Sequence, residues 1–151
     1  MFSNPDRAAI ERLLRGAKPV AVVGLSSDPS RPSHRVAKAL QGFGYRIIPV
    51  TPAEAPILGE RTVPDLDHLS DVLGAGVRPD IIDVFRRSEH VGPIADACIR
   101  LGMPVLWLQD GVIDEAAASR AVSAGIFTVR DRGLFRDRDA MTPYALRIRL
   151  E

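Results

Sequence analysis

The sequence has one cysteine, one tryptophan and 5% aromatic residues among its 151 residues. The lone cysteine, Cys98, excludes a disulfide framework and any metal site built from several thiolates. No apolar run approaches the roughly 18 residues of a membrane span, and the N-terminus lacks a signal-peptide core. Because 20 basic residues face 19 acidic ones, the net charge is only +1 and attracts neither nucleic acid nor membrane. We therefore expect a cytoplasmic protein with neither of these as a partner.

Composition and length predict one domain spanning residues 1–151. Hydrophobic residues make up 46% of the chain and charged residues 26%, which is ordinary for a globular protein. A chain of this length can bury a full core without disulfides or metals. It leaves little room for the second, substrate domain of a typical NAD-dependent dehydrogenase.

Strand and helix patterns alternate along the chain. Residues 19–25 form a valine-rich apolar run, typical of a strand buried on both faces. A polar loop over 26–33 follows, then a helix with Ser33 as its N-cap and a second strand over 45–50. Further strands are predicted over 80–85, 104–109 and 126–129. A helix that Ser88 caps and a helix that starts at Asp114 and Glu115 separate them. The arginine-rich segment from Arg130 is predicted to be a solvated helix or tail.

This alternation predicts an α/β fold with a single Rossmann-like, doubly wound domain. We expect a mostly parallel sheet in the order 3-2-1-4-5-6, with helices on both faces. The weak segment around Thr62 would supply the third strand, at an edge where Pro64 is tolerated.

In such sheets a ligand binds beyond the carboxyl ends of the strands, where the strand order reverses. Two loops meet there: residues 24–33 after the first strand and residues 85–88 after the fourth. The first loop has a glycine, several serines and a helix start, which suit phosphate, although the same residues also make ordinary turns. In the second loop, Arg86 and Arg87 also suit phosphate. Alternatively, they could form a surface ion pair with Glu89 or Asp83.

The usual nucleotide motifs are missing. Gly24 has no second or third glycine of a G-x-G-x-x-G fingerprint behind it, and no G-K-[ST] occurs. The second strand ends on Val50, Thr51 and Pro52, with no carboxylate to hold an NAD ribose. These absences weaken a nicotinamide-binding interpretation.

Six segments together resemble one family, the stand-alone CoA-binding proteins. These are small bacterial Rossmann domains similar to the CoA-binding domain of the succinyl-CoA synthetase alpha subunit. The resemblance covers about residues 5–133 and leaves 134–151 unassigned. The segments are VVGLS (22–26), RPS (31–33), IPVTP (48–52), ILGE (57–60), DVFRR (83–87) and LWLQDGV (106–112).

The resemblance implies coenzyme A or an acyl-CoA bound at the switch point. The residues implied around the phosphates are Gly24, Ser26, Ser27, Arg31 and Ser33, with Pro32 between the last two. Those implied along the nucleotide are Val50, Thr51 and Pro52. Those implied to close the pocket are Phe85, Arg86 and Arg87, with Gln109 and Gly111 along the rim.

Two positions depart from the family pattern. Thr51 stands where an asparagine is usual, which removes an amide from the site. Gly133 stands where a cysteine is usual after Asp131 and Arg132, so no thiol function exists there. Asp83 lies inside a predicted strand, and because a buried carboxylate needs hydrogen bonds we expect it to orient a loop or an arginine.

The sequence therefore predicts a non-catalytic sensor or carrier of CoA or acyl-CoA, with no catalytic or metal-binding residue assigned. Two alternatives remain open. One is a small NAD(P)-dependent oxidoreductase, and the other is a protein-interaction module that has kept the fold and lost the ligand. No protein partner is assigned.

Overall fold

The computed structural model describes residues 2–141, which form five strands and six α-helices. The strands are β1 (Pro19–Val23), β2 (Arg46–Val50), β3 (Ile81–Val84), β4 (Val105–Leu108) and β5 (Phe127–Val129). The helices are α1 (Arg7–Gly16), α2 (Pro32–Gly42), α3 (Ser70–Leu73), α4 (Val91–Leu101), α5 (Glu115–Ser123) and α6 (Leu134–Ala140). No helix among these residues is long and apolar enough to cross a membrane.

All strand pairs are parallel, and the sheet order is β2-β1-β3-β4-β5. The single Rossmann-like α/β domain is thereby confirmed. The predicted third strand shrinks to one parallel bridge between Val63 and Val50 at the β2 edge. Pro64 follows directly and has no N–H to donate, so the ladder cannot extend there. The predicted strands four, five and six are therefore β3, β4 and β5.

The sheet separates two hydrophobic clusters, one on each face. The first packs α4 and α5 against the sheet through residues such as Val91, Ala95 and Ala117. The second packs α1, α2 and α6 through residues such as Leu14 and Leu40. Because both faces are covered, the strands are apolar except at the exposed Arg46, which begins β2, and at the buried Asp83 and Thr128.

Helix starts were predicted with mixed success. α5 begins at Glu115, as expected, and the Asp114 carboxylate caps it by accepting from the Ala117 N–H at 3.0 Å. The prediction that Ser33 caps α2 was wrong, because that helix begins at Pro32 with Arg31 as its N-cap. A proline fits the first helical position, where its missing N–H costs nothing. Ser88 is not a cap either, since α4 starts at Val91.

The segment after Arg130 is more structured than a solvated tail. It forms α6, and Leu134 at its start is fully buried against α1 and α2. The Phe135 and Phe43 ring centroids are 5.9 Å apart. The prediction of a solvated segment was thus wrong at Leu134; the rest of the predicted tail, 142–151, lies outside the described residues.

Candidate functional site

The loops after β1 and β3 touch each other at the carboxyl edge of the sheet. Gly24 has a φ of +85°, and its N–H donates to the Val50 carbonyl at 2.9 Å. A Cβ at this position would collide with the Phe85 carbonyl oxygen and lie 2.9 Å from Cδ of Arg86. Only glycine suits both the backbone conformation and the space. The two loops that the sequence places at the switch point therefore cross in direct contact.

A larger pocket of about 800 Å³ opens on the α2 and α6 side of this crossing. Its walls combine apolar side chains from α2 and α6 with arginines from the two loops, and Gln109 at the end of β4 forms its floor. The residues that line it are Gly24, Arg31, Pro32, Ser33, Val36, Phe85, Arg86, Arg87, Gln109, Asp110, Val112, Gly133, Phe135 and Arg136.

A smaller pocket of about 320 Å³ opens on the α4 side. The end of β2 forms one wall with Val50, Thr51 and Pro52, and α4 forms another. Arg86 lines both pockets. All predicted site residues except Ser26, Ser27 and Gly111 thus line one or other of two cavities, which share Arg86.

Arg31, Arg86 and Arg87 are exposed and make no ion pair within residues 2–141. The surface ion pair considered for the arginine loop is not formed there. Glu89 lies beside His90, and Asp83 bonds to Gln109. These three arginines form no ion pair there, although the charge of Arg31 also acts on the Asp28 carboxylate. Together with the start of α2, which Arg31 caps, they create a positive region suited to an anion.

Several other arginines among the described residues are paired. Arg100 binds both carboxylate oxygens of Asp67, at 2.7 and 3.1 Å, and Arg132 binds Asp137 in the same way. Arg136, in the wall of the larger pocket, pairs with Asp110. Of the four arginines that line the larger pocket, three therefore form no ion pair within residues 2–141.

The serine hydroxyls hold the first loop in shape. Ser33 Oγ accepts from the Ser26 N–H at 3.0 Å, and Ser26 Oγ accepts from the Asp28 N–H at 3.1 Å. The Ser30 N–H donates to the Asp28 carboxylate, which lowers the pKa of that carboxyl below its ordinary value. Ser33 also lines the larger pocket, whereas Ser26 and Ser27 line neither of the two. Phosphate contact by these hydroxyls stays a prediction.

Gly111 lies in a braced loop beside the larger pocket and lines neither cavity. Its N–H donates to Asp131 Oδ1 at 2.7 Å. Ser88 Oγ accepts from the Ile113 N–H at 2.9 Å and contacts the Gly111 carbonyl at 3.4 Å. Gly111 therefore supports the rim, with its N–H already engaged.

Asp83 is fully buried beneath the floor of the larger pocket. Oδ1 accepts a short hydrogen bond from Nε2 of Gln109, and Oδ2 has no hydrogen-bond partner among residues 2–141. Burial raises the pKa of Asp83 to about 7, against the opposing effect of the Gln109 hydrogen bond. The structure thus joins Asp83 to a pocket residue, although that residue is an amide and not an arginine.

Several pocket residues were missed from the sequence. Phe135 and Arg136 belong to the segment expected to be solvated, and no local signal marks them. Asp65 and Asp67 enter the smaller pocket from the 3-10 turn beside Val63, close to the end of β2. Asp65 pairs with His68 at 2.6 Å, which raises the pKa of that histidine.

Comparisons with known proteins agree with this architecture. The uncharacterized protein YneT of Bacillus subtilis (strain 168) is 38% identical over 130 residues, covering 86% of this chain and 92% of that protein. A solved structure from Thermus thermophilus is 31% identical with a TM-score of 0.83, covering 91% of this chain and 100% of that one.

A dinucleotide-forming acetyl-coenzyme A synthetase of Ca. Korarchaeum cryptofilum shares the fold, with 23% identity and a TM-score of 0.64. The match covers 81% of this chain and 28% of that enzyme. The model of the CoA binding domain family matches residues 18–137, which include both loops, both pockets' strand ends and the start of α6. The chain therefore belongs to the CoA binding domain family.

Proposed function

We propose that this protein binds coenzyme A or an acyl-CoA across the loop crossing, as a sensor or carrier. The observation that carries the proposal is the set of three unpaired arginines, Arg31, Arg86 and Arg87, around the first turn of α2. Bidentate guanidinium contacts and free helix amides are what a diphosphate needs. Family membership supports a CoA-type ligand in general.

The two cavities suit the two ends of such a ligand. The diphosphate lies over the crossing, where Arg86 reaches both pockets. The nucleotide end occupies the smaller pocket against Val50, Thr51 and Pro52. The pantetheine arm enters the larger pocket, where Val36 and Phe135 offer apolar walls.

We assign no catalytic step to this site. The Cys98 thiol is buried on α4, and burial raises its pKa to about 12, so it supplies no thiolate near neutral pH. Neither pocket includes Cys98 among its lining residues. A binding role in which the ligand leaves unchanged accounts for the residues present.

One observation favours the dehydrogenase alternative. Asp65 stands in the smaller pocket near the end of β2, where a carboxylate receives the ribose hydroxyls of NAD. The same carboxylate would repel the ribose phosphate of NADP and that of CoA, so in the proposed CoA complex the 3′-phosphate lies on the Arg86 side of this pocket, away from Asp65. NAD and NADP therefore belong in the ligand panel.

The test is thermal unfolding with millimolar CoA, acetyl-CoA, NAD or NADP. A ligand present at about 100 times its Kd stabilises the fold by roughly 2.7 kcal/mol, which is a rise of several degrees in Tm. We expect that rise with CoA or acetyl-CoA, and its loss in Arg86→Ala. Arg12→Ala is the matched control, because Arg12 is an exposed arginine of α1, which lines neither pocket.

A rise with NAD or NADP alone overturns the proposal and supports the oxidoreductase. An equal loss in Arg86→Ala and Arg12→Ala refutes the site, since net charge would then be the cause. If none of the ligands binds, and mass spectrometry of the denatured protein finds no co-purified nucleotide, the interaction-module alternative stands.

A further inference from the structure

Asp83 is an anomaly in the face of the sheet that supports the larger pocket. It pairs in register with Val22 on β1 and Trp107 on β4, and all three are fully buried. A carboxylate in such surroundings is costly unless its hydrogen bonds are satisfied. Only Gln109 bonds to it, and Oδ2 has no partner among the described residues. Folding alone is better served by an apolar residue here.

The contact fixes which way the Gln109 amide faces. A glutamine amide has a donor end and an acceptor end, and a carboxylate accepts hydrogen bonds only. Because Nε2 donates to Asp83, Oε1 lies at the other end of the amide, in a side chain that lines the larger pocket. The two residues are 26 apart in sequence and meet only because β3 and β4 are neighbours.

We propose that Asp83 is a positioning residue that holds the Gln109 carbonyl toward the larger pocket, where it selects a ligand arm carrying an amide N–H. The inference rests on the proposed function, in which the pantetheine arm of CoA occupies this pocket. That arm contains two amide groups, each with one N–H donor. A single oriented acceptor between apolar walls discriminates strongly, because an unpaired donor is expensive there.

The charges around the pocket do not duplicate this role. Arg31, Arg86 and Arg87 are donors and meet the phosphates, and Arg136 is engaged by Asp110. The acceptor side chains of the lining are therefore those of Asp110, Ser33 and Gln109. Ser33 and Gln109 are buried, and Ser33 Oγ already accepts from the Ser26 N–H, so Gln109 supplies the buried amide oxygen of the lining.

The test compares CoA with adenosine 3′,5′-bisphosphate, which keeps the nucleotide and lacks the arm. Calorimetry gives Kd for both ligands with the wild type, Gln109→Leu, Asp83→Leu and the double variant. We expect about a tenfold loss of CoA affinity in each single variant, the size of one hydrogen bond, with bisphosphate affinity unchanged. The double variant should lose no more than Gln109→Leu, because Asp83 acts through Gln109.

Asp83→Asn keeps an oxygen that can accept from Gln109 and should restore most of the CoA affinity. It also remains informative if Asp83→Leu does not fold.

The inference is overturned if Gln109→Leu leaves CoA affinity unchanged, if the losses in the two single variants add, or if both ligands weaken equally. If the wild type binds neither CoA nor the bisphosphate, the proposed function itself fails. Binding of the bisphosphate with no gain from the arm leaves the nucleotide site standing and refutes the role of Asp83 and Gln109 alone.

Discussion

Replacing Asp83 with asparagine should change how the stability of the fold depends on pH. The wild-type carboxyl is fully buried, and its pKa is raised from 3.8 to about 7 in the folded protein. The folded state therefore binds more protons than the unfolded state between these values. Linkage requires stability to fall as pH rises through that range and to level off above about pH 7. Asparagine does not titrate, so this component disappears.

The magnitude follows from the shift. One pKa unit is worth about 1.4 kcal/mol, so the full displacement corresponds to about 4 kcal/mol. Part of the loss in the free energy of unfolding has already occurred at moderately acid pH, above the pKa of Asp83 in the unfolded chain. Between about pH 5 and about pH 9 the wild type should lose roughly 3 kcal/mol relative to Asp83→Asn. A pH-independent change in stability caused by the asparagine amide cancels from this difference between pH values.

Urea unfolding at a series of pH values measures the free energy of unfolding of the wild type and of Asp83→Asn. Trp107 is the single tryptophan, is fully buried and neighbours Asp83 on β4, so its fluorescence reports the transition. Asp71→Asn is the control, because Asp71 is an exposed carboxylate of α3. If the difference between Asp83→Asn and the wild type stays constant across the range, or follows that of Asp71→Asn, the carboxyl is not buried and unpartnered as described, and the reasoning fails.

Three further predictions concern the loops and the core. Gly24→Ala should lower Tm by several degrees, because a positive φ costs a non-glycine residue about 1–2 kcal/mol. The new Cβ would also collide with Phe85 and Arg86. An unchanged melting curve would show that the two loops do not cross this closely. In urea unfolding, Ser33→Ala should lower the free energy of unfolding by about 1 kcal/mol, because the hydrogen bond to the Ser26 N–H is lost. Ser27→Ala, at an exposed position without such a bond, should leave the free energy of unfolding unchanged. Equal effects of the two variants would contradict this prediction. Cys98 should resist a thiol reagent at neutral pH in the folded protein and react fully in denaturant, and rapid labelling of the native protein would contradict its burial.

Local patterns predicted most elements because their signals are local. The valine-rich run at β1 and the start of α5 at Asp114 and Glu115 depend on residues within a few positions, and both were confirmed. Ser33 was misassigned because serine is favoured both at helix caps and in loops, and the helix begins at Pro32, two residues earlier than a Ser33 cap would allow. The Thr62 segment has strand-forming residues, but Pro64 limits its pairing to one bridge.

The C-terminal part of the site was beyond local reasoning. Leu134 and Phe135 stand among arginines and aspartates, and the segment reads as solvated from composition. Their burial depends on the second hydrophobic cluster formed with α1 and α2. No residue nearby in the sequence indicates that contact. The contribution of α6 to the wall of the larger pocket could therefore not be predicted.

The sequence by itself determined the parallel α/β fold and the meeting of the two loops, because alternating apolar runs and right-handed crossovers leave few arrangements. It also placed Gly24 and the arginine pair at the strand ends. Only the tertiary structure decided that the site divides into two cavities sharing Arg86, and that Asp83 holds Gln109 at the floor of one. Those contacts depend on strand register and helix packing between segments that are distant in sequence. They form only when the whole core forms.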